Sequence, residues 1–172
     1  MRIIITTLLS ICCVFALDFR DKTTFEAVFK QSIINSSNSE IIYNGKLYIK
    51  EPALVLWRYD SPVKKDVYIN DDEVIIIEPE LEQVIVSKLQ KELNILKILN
   101  DAKKINSNTY ETTLYDTKYF LQIKNNELEK ISYKDELDNK VTISFTDIRS
   151  NHQISNKTFK YTIPSDFDIL RK

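Results

Sequence analysis

The chain has 172 residues, enough for one domain with a core of its own. Its 24 Lys and Arg nearly balance 25 Asp and Glu, and a net charge of −1 excludes the strongly basic surface that nucleic acid or an anionic membrane attracts. Gly45 is the only glycine, which excludes both a glycine-rich phosphate loop and a G-x-S-x-G nucleophile turn.

The first segment reads as an export signal. Met1-Arg2 supply a positive charge, Ile3 to Phe15 form a mostly apolar run, and Val14-Phe15-Ala16 offer a signal-peptidase site. Residues 1–16 are therefore expected to be removed, leaving a single domain over 17–172 with 23 basic against 25 acidic side chains. Both cysteines, Cys12 and Cys13, fall inside the signal, so neither a disulfide framework nor thiolate chemistry is expected. The run Leu9-Ser10-Ile11-Cys12 partly matches a lipoprotein-processing box, with Ile11 where such boxes carry a small residue. No later segment has the length of a transmembrane helix.

Short period-two stretches follow. Phe25, Ala27 and Phe29 alternate, as do Leu47 with Ile49, then Val55, Trp57 and Tyr59, Val67 with Ile69, Tyr119 with Leu121 and Ile123, and Val141 with Ile143 and Phe145. Asn- and Asp-rich turns separate them at 35–39, 70–72, 125–126 and 138–139. This pattern predicts an antiparallel sheet with one wet face. Val74 to Ile77 are apolar on both faces, so alternation assigns them no inward side. Between Ser87 and Lys104 the spacing changes: Leu89, Leu93, Leu96 and Leu99 recur at helical intervals, widened by Ile95, Ile98 and Ala102 and set among Lys88, Lys91, Lys97, Lys103 and Lys104, predicting one or two helices inserted between strands.

Residues with catalytic or metal-binding chemistry are sparse. His152 is the only histidine and is expected in an exposed loop, so zinc sites lack their usual ligands. Glu78, Glu80 and Glu82 flank Pro79 and read as solvated charges at a corner. The sequence predicts neither an enzyme nor a cofactor or metal site.

The order of motifs resembles the LolA family of periplasmic outer-membrane lipoprotein carrier proteins. The stretch "FEAVFKQ" (25–31) is similar to that family's F-x-A-x-F-x-Q opening, and "GKLYIKEP" followed by "LWRYDSP" to its next two strands, with Trp57 matching the family's tryptophan. "YINDDEVIIIEPELEQVIV" resembles its Asp-rich turn and P-x-x-E-Q segment at Pro79, Glu82 and Gln83, and "FKYTIPSDFDIL" its closing strand. The resemblance implies an unclosed antiparallel β-barrel, a half-barrel with a helical lid. It implies a monomeric chaperone that takes lipid-modified proteins from an inner-membrane ABC transporter to an outer-membrane receptor.

Alternation and resemblance together make Phe25, Ala27, Phe29, Leu47, Ile49, Val55, Trp57 and Tyr59 the expected wall of an acyl cavity, with Leu89, Leu93 and Leu96 as lid contacts. An ordinary packed core would show the same alternation. In the family pattern an arginine before the corner proline ties lid to barrel. Glu51 holds that position here and is expected to latch by accepting from lid N–H groups or pairing with Lys88 or Lys91. Two other readings remain at this point: an outer-membrane-anchored acceptor lipidated at Cys12, and a non-enzymatic envelope sensor domain.

Overall fold

The structure, a computed structural model, describes residues 22–70, 72–88 and 95–171, with the side chain of Leu96 also outside this set. The expected signal peptide therefore lies outside the described residues. Twelve strands form one sheet: β1 (Thr24–Ile34), β2 (Glu40–Lys50), β3 (Leu54–Ser61), β4 (Lys65–Asn70), β5 (Glu73–Glu78), β6 (Gln83–Lys88), β7 (Lys103–Lys104), β8 (Thr109–Leu114), β9 (Thr117–Lys124), β10 (Glu127–Lys134), β11 (Lys140–Ser150) and β12 (Asp168–Arg171). A helix, α1 (Ile95–Asp101), lies between β6 and β7 in the chain. The spatial order is β12-β6-β5-β4-β3-β2-β1-β11-β10-β9-β8-β7, so the sheet is an unclosed barrel with β12 and β7 at its two edges.

Tight reversals are made almost without glycine. Asn38, Asp138, Asn125 and Asn126 all have positive φ, the left-handed region that short amide and carboxylate side chains tolerate. The turns at 35–39 and 135–139 share one design: Asn35 Oδ1 accepts from the backbone N–H of Ser37 and Ser39, and Asp135 Oδ1 from those of Leu137 and Asn139, each at 2.9 Å. Tyr115 and Asp116 form a two-residue hairpin turn with φ of 50° and 64°, the I′ geometry that matches strand twist. Gly45 is needed for a different reason. A Cβ there would collide with the Arg58 carbonyl oxygen and come within 2.9 Å of Phe29 Cε1, beside the bulge where β3 carries the extra residue Asp60 opposite Asn44 and Gly45.

Two expectations need correction. The helical insertion is shorter than its spacing suggested: Ser87 and Lys88 end strand β6, where they pair with Val74 and Glu73, and Lys103-Lys104 form β7 against Tyr110 and Glu111. Cross-strand pairing overrides the local leucine spacing at both ends. The second correction concerns the wet face. Residues 154–167 run as a strap over the outside of β3–β6 and bury Leu56, Tyr68, Ile75 and Val84 under Ile154, Phe159, Tyr161 and Phe167. That strap explains the doubly apolar β5: Val74 and Ile76 belong to the inner cluster, Ile75 and Ile77 to the outer one. The chain then adds β12 parallel to β6.

Candidate functional site

The inner face of the sheet is built in rows set by strand register. Across β1, β2, β3 and β4, Phe25, Ile49, Val55 and Ile69 stand side by side, and Ala27, Leu47, Trp57 and Val67 form the next row. Phe29 follows, opposite Gly45, with its ring 5.0 Å from Trp57 and 5.1 Å from Tyr59, both edge-on. Rows continue through β11, β10 and β9: Phe29 pairs with Phe145, and Gln31 with Ile143, which leads to Ile131 and Leu121. Six of the eight predicted wall residues are buried in this cluster, from 0% exposure at Leu47 to 6% at Trp57, while Val55 and Tyr59 are half-buried against it.

Helix α1 contributes Ile95, Ile98 and Leu99, and Ala102 follows it, all buried in that same cluster. Those four side chains hold the described part of α1 against the sheet. Leu89 and Leu93 lie outside the described residues, as does the side chain of Leu96. The lid contacts on view are thus Ile95, Ile98, Leu99 and Ala102, which belong to the helical stripe read from the sequence but are not among its three expected lid contacts. Glu51 is exposed at the end of β2, and its backbone N–H donates to the Thr23 carbonyl at 2.9 Å. Lys88, one expected latch partner, ends strand β6, and Lys91 lies outside the described residues.

Along the strands the inner face changes character. Toward the end that carries turns 35–39, 62–64, 115–116 and 135–139, aliphatic rows give way to tyrosine. Tyr43 and Tyr59 meet edge-on at 5.7 Å, and Tyr119 and Tyr133 lie 4.8 Å apart on the opposite limb. The Tyr59 hydroxyl donates to Gln31 Oε1 at 3.3 Å. Lys65 Nζ sits 4.7 Å from the Tyr59 ring centre and 5.6 Å from that of Tyr43. Burial raises the Tyr119 phenol above its ordinary value. Sequence reading missed Tyr43 and Lys65, although carrying the alternation back from Leu47 and from Val67 reaches both.

Other singled-out residues have structural work. Glu78 accepts from Gln83 Nε2 at 2.5 Å, and Glu82 takes a left-handed conformation at φ 50°, closing the corner that the sequence predicted. His152 is not an exposed loop residue. It is half-buried with Nε2 3.0 Å from Glu26 Oε2, and Glu26 also accepts from Arg149. These contacts pin the start of the strap to β1, with Lys50 Nζ donating to the Ile154 carbonyl at 3.0 Å. On the outside of β3 and β4, Asp66 accepts hydrogen bonds from both Nε and Nη2 of Arg58 and holds the guanidinium protonated well above its ordinary range. Among the described residues, no group of three His, Cys, Asp or Glu could hold a metal ion, and no helix is long and apolar enough to cross a membrane.

Comparison with known proteins gives a consistent result. A family model described as "Outer membrane lipoprotein carrier protein LolA" matches residues 20–162. Similar curated proteins, each named outer-membrane lipoprotein carrier protein, come from Campylobacter jejuni (36% identical, covering 91% of each chain) and Wolinella succinogenes (32% identical, 90% of each). Another, from Helicobacter pylori, is 35% identical over 87% of this chain and 80% of its own. Among solved structures, an uncharacterized conserved protein from Thermus thermophilus has a TM-score of 0.54 at 11% identity, covering 89% of this chain and 93% of its own. A LolA superfamily protein from Nitrosomonas europaea has a TM-score of 0.52 at 10% identity, covering 82% and 91%. Those two share the fold. With most of its length matched by the family model, and with relatives above 30% identity along nearly all of it, the chain belongs to the LolA family of outer-membrane lipoprotein carrier proteins.

Proposed function

We propose that this protein is a periplasmic carrier that shelters the acyl chains of lipid-modified proteins between the inner face of the sheet and α1. Residues 1–16 direct export, and 17–172 act as one monomeric domain. Cargo arrives from an inner-membrane ABC transporter and leaves to an outer-membrane receptor. The observation that carries this reading is the contiguous inner face of Phe25, Ala27, Phe29, Leu47, Ile49 and Trp57, covered by the described residues of α1.

The energies suit a reversible roof. Fully burying an aliphatic side chain is worth about 1.5–3 kcal/mol, and a CH₂ about 0.8 kcal/mol. Lifting Ile95, Ile98 and Leu99 off the sheet therefore costs about 7 kcal/mol, which about nine buried methylenes offset. One ordinary fatty acyl chain contains more than that, so cargo opens the roof and a receptor offering its own apolar surface lets it close again. No covalent step is required, and the reading assigns no catalytic residue.

The test is purification of the mature protein from periplasm, with mass spectrometry of what accompanies it. Diacylated or triacylated proteins are expected with the wild type and lost with Trp57→Asp, while the β-rich circular dichroism spectrum persists. Retention of acylated cargo by that folded variant would refute the assignment of the inner face. The intact mass of the mature amino terminus separates cleavage near Ala16 from lipidation at Cys12.

A further inference from the structure

Lys65 stands out on the inner face. Its place on β4 alternates with Val67 and Ile69, so it points to the same side as the acyl wall, and it is half-buried there. Several cations of the sheet pair with carboxylates: Arg58 with Asp66, Lys118 with Glu111, Lys134 with Asp138, Arg149 with Glu26. Lys65 has no ion-pair partner among the described residues. Its ammonium rests over the faces of Tyr43 and Tyr59, an arrangement that steadies a cation without using up its N–H donors.

The neighbours make a graded surface. Trp57 and Phe29 bound the group on the apolar side. Tyr43, Tyr59 and Gln31 supply hydroxyl and amide groups at the rim, and tyrosine suits a place where one end is greasy and the other wet. An acyl chain laid along Ile49, Leu47 and Trp57 would bring its carboxyl-derived end to this rim. That end carries carbonyl oxygens, which accept hydrogen bonds and have no partner in a purely apolar cavity.

We propose that Lys65, with Tyr43, Tyr59 and Gln31, forms a subsite for the ester carbonyls of a diacylglyceryl-cysteine head. Lys65 donates to a carbonyl oxygen, Tyr43 and Tyr59 pack against the glyceryl carbons, and the cargo polypeptide emerges past the turns at 35–39 and 62–64. This deepens the carrier reading and rests on it. It adds a specificity that shape alone lacks, because a plain hydrocarbon of equal length gains nothing from Lys65.

The experiment measures affinity for two synthetic lipopeptides of equal chain length, one with ester-linked and one with ether-linked chains, against wild type, Lys65→Met and Lys65→Arg. A neutral apolar dye serves as control for the cavity. Wild type should prefer the ester by about tenfold, or ~1.4 kcal/mol. Lys65→Met should erase the preference by weakening ester binding alone, leaving dye affinity unchanged, and Lys65→Arg should restore much of it. An ester preference that survives Lys65→Met, or that is absent from wild type, overturns the subsite while leaving the carrier reading intact. If neither lipopeptide binds wild type, the carrier reading itself fails and takes the subsite with it.

Discussion

Replacing Ile98 with alanine separates a roof from a fixed part of the core. Ile98 is fully buried on α1, among the side chains of the inner face. Truncating such a residue costs about 2–5 kcal/mol where the surroundings cannot collapse. In the carrier account this loss falls on the closed form alone, because an open form has already surrendered the contact. Taking the lower figure, the ratio of open to closed molecules rises about thirtyfold, since ~1.4 kcal/mol is tenfold. Apparent affinity for a neutral apolar dye should tighten by up to that factor, until the open form predominates. Trp57, the only tryptophan, stands on the inner face and reports the change through its own emission. Stability measured in urea should fall by the truncation penalty only until the open form predominates, and no further. An unchanged dye affinity, with the whole 2–5 kcal/mol appearing as lost stability, would show that α1 is packed permanently and would refute the reasoning.

Gly45→Ala should destabilise the protein by at least ~2 kcal/mol, seen as a lower urea midpoint, because the added methyl meets the Arg58 backbone rather than a movable side chain. Tyr115→Asn should raise stability by about 0.5–1 kcal/mol, since a bulky residue now holds φ 50° in a turn that favours Asn. Tyr68 and Tyr119 should make stability fall in strong alkali. Burial foremost raises both phenols above 10.0, and the Asp66 carboxylate raises Tyr68 further. The native state then binds these protons more tightly than the unfolded chain, so their contribution is whole below pH ~10 and is lost as pH climbs through the raised values. Urea midpoints of Tyr68→Phe and Tyr119→Phe at pH 8 and above pH 10 should show a shallower decline than wild type, and an unaltered slope would contradict this.

What the sequence disclosed follows from where its signals were local. Period-two alternation in Phe25-Ala27-Phe29 and Val141-Ile143-Phe145 survives in the fold because one face of each strand meets the inner cluster. Turn positions were legible from Asn and Asp for the same reason: the side chain bonds its own loop. The failures lie where distant partners decide. Nothing local reveals that residues 154–167 cross back over β3–β6, so Ile75 and Ile77 had no assignable face. Ser87 and Lys88 carried a helical spacing that pairing with β5 overrode. His152 looked like a loop residue because Glu26, its partner, is 126 positions away. Lys65 escaped notice since a lysine on an apolar face is unexpected until Tyr43 and Tyr59 are seen beneath it.

The central claim is that acyl chains lie against the inner face, under α1. Trp57 tests it directly when the protein is titrated with a diacylated lipopeptide whose chains carry bromine, a contact quencher. Saturable quenching of Trp57 emission, reversed by unbrominated lipopeptide and absent with the peptide stripped of its chains, is the predicted result. Binding that leaves Trp57 emission unaltered would place the chains elsewhere and contradict the account.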